Sequence, residues 1–313
     1  MHPLIRLPPS SERVADADEE VFLLYSRPTR SSAEMRGLGY VDNRQDILTL
    51  RFELKKPKHA PSPLKGKGKS KRTTDADEKT VEIQMLQDKT ALRSRVGDTG
   101  SVVWKASIDL AQFLLQQHHA KAVDAFFDLE RLSSSTVLEL GAGTGLLSIA
   151  LSPLVAQYAA TDIYELTPLM AKNLRLNLPD SQKPEFSNTT IQELNWETLH
   201  ALPPARRAQY YPLPETPYDI VLVVDCIYHP SLLPSLLDAM DYVAAPGVTV
   251  VVVMMELRAE DVTREFLERW LALGAGEWEI WRAANEVDDG IFARDSPYVV
   301  WVGWKTLKDS VDG

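Results

Sequence analysis

Short apolar strands alternate with longer helical segments through most of this chain, and that alternation restricts its possible folds more than any other feature. The apolar strand segments are STVLEL (135–140), QYAATD (157–162), YDIVLVVD (218–225) and VTVVVVMMEL (248–257). Helical periodicity extends over about 106–119, 166–176, 232–243 and 261–273. Strands that are apolar on both faces and connected through helices form a parallel sheet with helices on both sides. The sequence therefore predicts an α/β fold.

The last two strand segments depart from this alternation. EWEIW (277–281) and YVVWVGW (298–304) follow each other with no helical pattern between them. Neighbouring strands that lack a helical crossover pair in antiparallel fashion. We expect these two segments to form an antiparallel end to the sheet.

The N-terminal region has strand patterns of a different kind. In EVFLLYSR (20–27) and DILTLRFELK (46–55), apolar residues alternate with polar ones, which predicts an antiparallel hairpin or small sheet. The segment 56–79 is rich in Lys, Pro, Gly and Ser and predicts a flexible loop, because it has too few apolar residues to offset its ordering entropy. TVEIQMLQDK (80–89) is expected to pair back across that loop.

These patterns predict two regions, a β-rich N-terminal extension over 1–98 with the flexible basic loop 56–79, and a main domain over 99–313. A single cysteine excludes an internal disulfide and fits a reducing compartment, and no early segment has a signal-peptide pattern. The apolar run 248–255 is too short to span a bilayer. We expect a soluble, monomeric, cytoplasmic protein, with the nucleus as an additional location.

The segment VLELGAGTG (137–145) is a strand that runs into three glycines. Gly141 and Gly143 allow a tight turn and let a ligand approach the backbone. The dinucleotide fingerprint G-x-G-x-x-G is not matched, because Gly145 comes one residue early. Glu139, just before the loop, suits a cationic or amino-bearing ligand better than a phosphate.

Asp162 ends the next strand, where a carboxylate is placed to accept hydrogen bonds from ribose hydroxyls. A ribose without a phosphate, joined to a positively charged group, describes S-adenosylmethionine. A glycine-rich turn alone occurs in many α/β proteins. Combined with Glu139, Asp162 and the strand pattern, however, this stretch resembles the class I seven-strand methyltransferases. The resemblance implies a Rossmann-like sheet of strand order 3-2-1-4-5-7-6 whose seventh strand is antiparallel.

Three further motifs narrow the resemblance, namely TGSVVW (99–104), IQELNW (191–196) after the third strand and DCIY (225–228) at the end of the fourth. Together they resemble the family 16 protein methyltransferases, the methyltransferase-like protein 21 group, whose hallmark is an acid-x-x-aromatic motif at that strand end. The lead-in LQDKTALRSRVGDTGSVVWKAS (86–107) most resembles the fungal ribosomal lysine N-methyltransferase 5 group. The similarity extends over about 88–254.

The resemblance implies a role for each motif residue. Trp104 and Trp196 would lie against the cofactor, with Trp196 in a polar loop over adenine, and Asp162 would bind the ribose. Asp225 and Tyr228 would be the catalytic pair. The remaining implied cofactor-binding residues are Glu139, Gly141, Ala142, Gly143, Gly145 and Val224. Two departures from the family pattern are Glu197, where many members have glycine, and the Lys-rich insertion.

A protein lysine must lose a proton before it attacks, since its ordinary pKa is about 10.4. Burial beside a sulfonium would lower that pKa. We hypothesise that Asp225 aligns either the amine or the cofactor, that Tyr228 orients the amine, and that water takes the proton. The implied acceptor is a large-subunit ribosomal protein, with weak RNA contact through 56–79.

Other functions stay open at this point. N6-adenine methyltransferases place two prolines where this chain has Cys226 and Ile227, and a net charge of −10 opposes nucleic-acid binding outside the basic segment 55–72. A different cytosolic protein acceptor, a small-molecule acceptor, and a cofactor-binding scaffold without turnover are the remaining alternatives. His118 and His119 lack partners at ligand spacing, so we expect no metal.

Overall fold

The computed structural model describes residues 2–27, 41–42, 45–56, 78–88, 99–178, 188–285 and 290–307. The strands are β1 Glu12–Arg13, β2 Ile47–Lys55, β3 Glu78–Leu86, β4 Thr136–Leu140, β5 Gln157–Asp162, β6 Thr189–Glu193, β7 Ile220–Val224, β8 Val250–Glu256, β9 Trp278–Ala283 and β10 Tyr298–Lys305. The α-helices are α1 Ala17–Tyr25, α2 Lys105–Ala120, α3 Leu129–Ser134, α4 Leu146–Leu151, α5 Thr167–Asn177, α6 Trp196–Ala201, α7 Pro204–Tyr210, α8 Leu233–Val243 and α9 Glu260–Ala272. Among the described residues, every helix is too short or too polar to cross a bilayer.

Eight strands form the central sheet, in the order β1-β9-β10-β8-β7-β4-β5-β6. Strands β4 to β8 pair in parallel, whereas β10 is antiparallel to both β8 and β9. Counted from β4, this is the predicted order 3-2-1-4-5-7-6, so the predicted α/β fold and its antiparallel end are confirmed. The short strand β1 extends the sheet beyond the prediction by pairing with β9.

The central strands are apolar because both of their faces are covered. All five residues of β7 are buried, and they alternate between the two hydrophobic clusters that flank the sheet. Ile220, Leu222 and Val224 belong to one cluster, and Val221 and Val223 belong to the other. This alternation follows from the two-residue period of a strand.

The prediction of a strand over residues 20–27 is wrong, because helix α1 occupies this part of the chain. Asp16 caps the helix by accepting a hydrogen bond from the Glu19 backbone N–H at 2.9 Å. The buried residues Ala17, Val21 and Leu24 follow the helical period. A short run of apolar residues fits the period of a helix as well as that of a strand. The Asp16 cap and the buried face of Ala17, Val21 and Leu24 favour the helix.

Strands β2 and β3 pair in antiparallel register from Ile47↔Leu86 to Lys55↔Glu78, which confirms that the segment after the basic loop pairs back across it. The sheet is thus built from β2 and β3, without the 20–27 segment, and β3 begins at Glu78, inside the predicted loop 56–79. Residues 57–77 of the predicted flexible loop lie outside the described residues. The division of the chain at residue 98 stays a prediction.

Side-chain amides occupy both edges of this two-stranded sheet. Gln116 exchanges two hydrogen bonds with the backbone of Lys55, and Asn173 exchanges two with the backbone of Leu86. These amides take the places of further strands and leave the edges without open pairing positions there. Asn173 also donates to the Thr144 carbonyl at 2.9 Å, so the small sheet holds the end of the glycine-rich loop.

Candidate active site

A cavity of about 640 Å³ opens at the carboxyl ends of the parallel strands, at the point where β4 separates the two halves of the sheet. Both the position and the size are usual for small-molecule sites in open α/β sheets. Two of the sequence-predicted site residues, Glu139 and Gly145, are not among those that line it. The predicted residues that line it are Trp104, Gly141, Ala142, Gly143, Asp162, Trp196, Val224, Asp225 and Tyr228.

The glycine-rich loop forms the floor of the cavity, and two positions in it require glycine. Gly141 has a φ of +73°, and a Cβ there would lie 2.6 Å from Cys226 Sγ and 3.1 Å from the Trp196 ring. Gly143 has a φ of +56°, and its Cβ would lie 2.9 Å from the Gly100 carbonyl oxygen. Neighbouring groups can therefore approach the loop backbone closely only while both residues lack a side chain.

Cys226 is buried behind this loop, with its Sγ 3.4 Å from the Leu140 carbonyl oxygen. Burial raises the pKa of the Cys226 thiol well above its ordinary value, and the nearby carboxylates add to this effect. A protonated, buried thiol is a poor nucleophile. The geometry thus gives this cysteine a packing role behind the loop.

Asp162 is fixed at the end of β5 by two backbone donors. Its Oδ2 accepts a hydrogen bond from the Gly143 N–H and its Oδ1 accepts one from the Ile163 N–H, each at 2.8 Å. Because these bonds leave further lone pairs on the carboxylate, it can also accept hydrogen bonds from a hydroxyl in the cavity. The side chain is held in place before any ligand arrives.

The two tryptophans of the cavity are positioned by local structure. Trp196 is the first residue of α6, which Asn195 caps, so the expectation that it lies in a polar loop is wrong. IQE of the IQELNW motif belongs to β6. Trp196 Nε1 is buried, and within the described part of the chain it has no hydrogen-bond partner. Trp104 Nε1 donates to the Thr99 carbonyl at 2.8 Å, which fixes its ring.

Asp225 follows β7 in a conformation that few residues other than glycine adopt. Its φ is +57°, and its side chain is only 3% exposed. Its N–H donates to the Met254 carbonyl at 2.7 Å. Left-handed backbone at a carboxylate beside a cavity is a strained arrangement of the kind found at functional sites.

Arg258 holds the Asp225 carboxylate by a two-pronged ion pair, and sequence reasoning missed this residue. Its Nη1 lies 2.9 Å from Asp225 Oδ1 and its Nη2 lies 2.7 Å from Oδ2. Burial lowers the pKa of Arg258, but the hydrogen bonds and charges of Asp225 and Glu256 outweigh burial and raise it. Arg258 also lies over the Trp104 ring, 5.4 Å from its centroid. The sequence signal that could have revealed Arg258 is its position just after β8, the strand adjacent to β7.

The cavity has an acidic lining. Its acidic residues are Asp162, Glu165, Glu197 and Asp225. Among the described residues that line it, none is a lysine or an arginine. Such a lining attracts a cation or a polarised amine and repels phosphate.

Glu139 lies beneath the loop and faces Tyr158, whose hydroxyl donates to its Oε2 at 2.9 Å. The side chain is buried because the pleat of β4 directs alternate residues to opposite faces. Burial raises the pKa of Glu139 from 4.5 to about 8, the Tyr158 hydrogen bond opposes this rise, and the charge of Asp162 adds to it. At neutral pH the buried carboxyl is therefore mostly protonated. Its contact with a cofactor stays a prediction.

Glu139→Gln is expected to flatten the pH dependence of stability. Because the folded protein keeps the Glu139 proton up to a pKa of about 8, its free energy of unfolding falls as the pH rises from 4.5 through 8. Between pH 6 and pH 8 the parent should lose about 2 kcal/mol more than the variant, which has no such proton to lose. Urea unfolding of both proteins at the two pH values measures this difference. Parallel profiles would show that Glu139 is ionised at pH 6.

Comparison with known proteins gives a family match over the residues that form this cavity. The sequence profile described as "Lysine methyltransferase" matches residues 85–271. This range includes the lead-in, the glycine-rich loop, β4 to β8 and most of α9.

Three relatives illustrate the similarity. "Diaminohydroxyphosphoribosylamino-pyrimidine deaminase" of Schizosaccharomyces pombe is 30% identical over 244 residues, which are 74% of this chain and 52% of that protein. "Protein N-lysine methyltransferase METTL21A" of Danio rerio is 29% identical over 51% of this chain and 62% of that protein. "Ribosomal lysine N-methyltransferase 5" of Zygosaccharomyces rouxii is 25% identical over 66% of this chain and 76% of that protein. The first two matches thus span about half to three fifths of the relatives' lengths.

Proposed function

The chain belongs to the lysine methyltransferase family, and from this premise we propose that it transfers methyl groups from S-adenosylmethionine to lysine side chains of proteins. The observation that carries the proposal is the Asp225 carboxylate, which Arg258 holds beside an acidic cavity with Tyr228 in the wall. When bound, S-adenosylmethionine supplies a methyl group on a positively charged sulfur, which then becomes a neutral leaving group.

The cavity fits this cofactor. A positively charged sulfonium suits an acidic lining, and the Asp162 carboxylate suits the ribose hydroxyls. Trp196 offers an aromatic face to adenine, and its unpartnered Nε1 can donate a hydrogen bond. Gly141 and Gly143 would leave room for the cofactor against the loop backbone. We propose that these four residues hold the cofactor.

Asp225 serves as a fixed acceptor for the incoming amine. Arg258 engages both of its oxygens, so the carboxylate keeps its place. Burial in the cavity and the positive charge on the sulfur of a bound cofactor would lower the pKa of the acceptor lysine, whose proton leaves to water. Asp225 then accepts a hydrogen bond from the neutral amine and directs its lone pair. Tyr228 lines the cavity next to this position and limits the directions of approach.

The finer proposal is that the acceptor is a large-subunit ribosomal protein. It is supported by the similarity to a relative that is named a ribosomal lysine N-methyltransferase. Ribosomal proteins are mostly basic, and the net charge of −10 favours a basic partner. The acceptor lysine itself has to be identified by experiment.

The pyrimidine deaminase name of the Schizosaccharomyces pombe relative does not add a second function here. Zinc deaminases that act on nucleobases bind the metal through a histidine and two cysteines, or through three cysteines. This chain has one cysteine, Cys226. Within the part of the chain that the structure describes, no group of three or more His, Cys, Asp or Glu side chains is arranged to bind a metal.

A labelled-methyl assay tests the proposed function. We expect the purified protein and methyl-labelled S-adenosylmethionine to label a ribosomal protein in an undermethylated lysate, and protease treatment to remove the label. Mass spectrometry should then place the methyl group on a lysine, and lysine-to-arginine substitution there should abolish labelling. Label that is removed by nuclease would indicate a nucleic-acid acceptor. Cofactor binding without any labelled product would favour a scaffold.

A further inference from the structure

A second cavity, of about 580 Å³, lies beside β9 and shares no lining residue with the candidate active site. Among its described lining residues, three are arginines, Arg27, Arg282 and Arg294, and one, Glu12, carries a carboxylate. The other polar residues of its described lining are Ser10, Ser11 and Asn285. This excess of positive charge contrasts with the net charge of −10 of the whole chain.

Arg282 is built into the wall of this cavity. It is 7% exposed, and its guanidinium pairs with Glu20 and with Glu12. Arg282 contacts Oε2 of Glu20, and Trp301 Nε1 donates to Oε1 of Glu20 at 2.9 Å. The Glu20 carboxylate therefore lies behind the arginine and does not line the cavity. Arg282 Nε is buried, and no residue in the described part of the chain forms a hydrogen bond with it. The wall thus presents a fixed positive group with an unused donor.

Arg27 adds a second unused donor. Its Nη2 is buried and has no hydrogen-bond partner among the residues that the structure describes. Burial and the neighbouring charges of Arg282 and Arg294 lower the pKa of Arg27, although Glu20 and Glu12 oppose this effect. Guanidinium groups that share a partly buried cavity repel one another, and an anion placed between them would relieve this repulsion and satisfy the buried donors.

The register of the sheet places this cavity at the same edge as the candidate active site. Tyr298 of β10 pairs with Glu256 at the end of β8, and Val300 of β10 pairs with Ala283 at the end of β9. The carboxyl ends of β7, β8 and β9 therefore lie along one edge. In the strand order, β9 is three positions from β7, a separation of roughly 15 Å. An extended peptide covers that distance with about four or five residues.

We propose that the arginine cavity binds an acidic side chain of the protein substrate, about four or five residues from the acceptor lysine along an extended segment. This inference rests on the proposed function. A carboxylate fits the cavity because two or more guanidinium groups can donate to its oxygens. A protein segment is favoured over a nucleic acid because the negative net charge repels a phosphate backbone.

Fluorescent peptides test the inference by binding and by turnover. Each peptide has one central lysine. The residues four and five positions before and after this lysine are all Glu in the Glu peptide and all Gln in the Gln peptide. We expect wild-type protein to bind the Glu peptide about tenfold more tightly than the Gln peptide, as judged by anisotropy. Arg27→Gln and Arg294→Gln should each remove most of this preference by raising KM for the Glu peptide without changing kcat. The exposed Arg269, which pairs with Glu265 on α9, supplies the control variant Arg269→Gln with the same loss of charge.

The outcomes separate the two proposals. If wild type binds both peptides equally, or if the Arg27 and Arg294 variants keep the preference, the inference is wrong whether or not methyl transfer occurs. If the preference for the Glu peptide is present but no peptide lysine is methylated, the proposed function is wrong, and the arginine cavity is still a binding site for an acidic side chain. A short RNA could instead compete with the Glu peptide for binding. If only the Arg27 and Arg294 variants weaken this competition, the ligand of the cavity is a nucleic acid and not a protein segment. Unchanged thermal midpoints show that the variants are folded.

Discussion

Asp225→Asn is expected to lower kcat for methyl transfer by at least about 100-fold while cofactor binding changes by less than about threefold. The substitution keeps the size of the side chain but removes the charge that Arg258 engages through both of its oxygens. An amide NH₂ group cannot accept from the guanidinium, so Arg258 loses one of its two bonds and the side chain shifts or turns. The acceptor amine then loses its fixed hydrogen-bond partner.

Three measurements decide this prediction. Single-turnover transfer of labelled methyl to the acceptor gives the rate, titration calorimetry gives the cofactor affinity, and a thermal midpoint shows that the variant is folded. The control is Glu256→Gln, because Glu256 also pairs with Arg258, at 2.8 Å, but is not among the residues that line the cavity. It should keep kcat within about threefold. Normal turnover of Asp225→Asn at saturating substrates would exclude a role for the carboxylate, and a loss confined to cofactor affinity would assign Asp225 to the cofactor.

The sheet could be predicted from the sequence because its information is local. Runs such as YDIVLVVD (218–225) are apolar at every position only when a strand is covered on both faces, and helices between such runs require parallel strands. The cavity residues at the carboxyl ends of β4, β5 and β7 follow directly from that topology. The motif spacings then located nine of the lining residues, including Trp104 and Trp196.

What the sequence did not reveal depends on contacts between distant residues. The ion pair of Asp225 and Arg258 joins the ends of two adjacent strands, and no local pattern marks Arg258 as its partner. The direction of Glu139 is set by the pleat of β4, which turns the carboxylate to Tyr158 beneath the loop. Helix α1 was missed because the eight residues 20–27 fit the period of a helix as well as that of a strand. The helix cap Asp16, which would have distinguished the two, lies before the segment that was interpreted as a strand.

Gly141→Ala is expected to weaken cofactor binding by at least about 100-fold. A Cβ at this position would lie 2.6 Å from Cys226 Sγ and 3.1 Å from the Trp196 ring, on a backbone with a φ of +73°. The loop, the thiol or the indole must shift, and all three belong to the cavity. A displaced Trp196 would lose its proposed position against adenine, where base–aromatic stacking is worth about 1–3 kcal/mol. Titration calorimetry with S-adenosylmethionine measures the loss.

Gly145→Ala is the matched control for this prediction. Gly145 has a φ of +82°, so alanine strains its backbone as well, but the nearest atom to its Cβ would be Met170 Cγ at an ordinary 3.4 Å. Both variants should be destabilised by about 1–2 kcal/mol, whereas only Gly141→Ala should lose cofactor affinity. Adding Cys226→Ala removes the closest obstacle and should restore part of the affinity to Gly141→Ala, because the two side chains are coupled through one contact. Equal affinity losses in Gly141→Ala and Gly145→Ala would instead mean that cofactor binding depends on the strain of the whole loop, and not on the space beside Cys226 and Trp196.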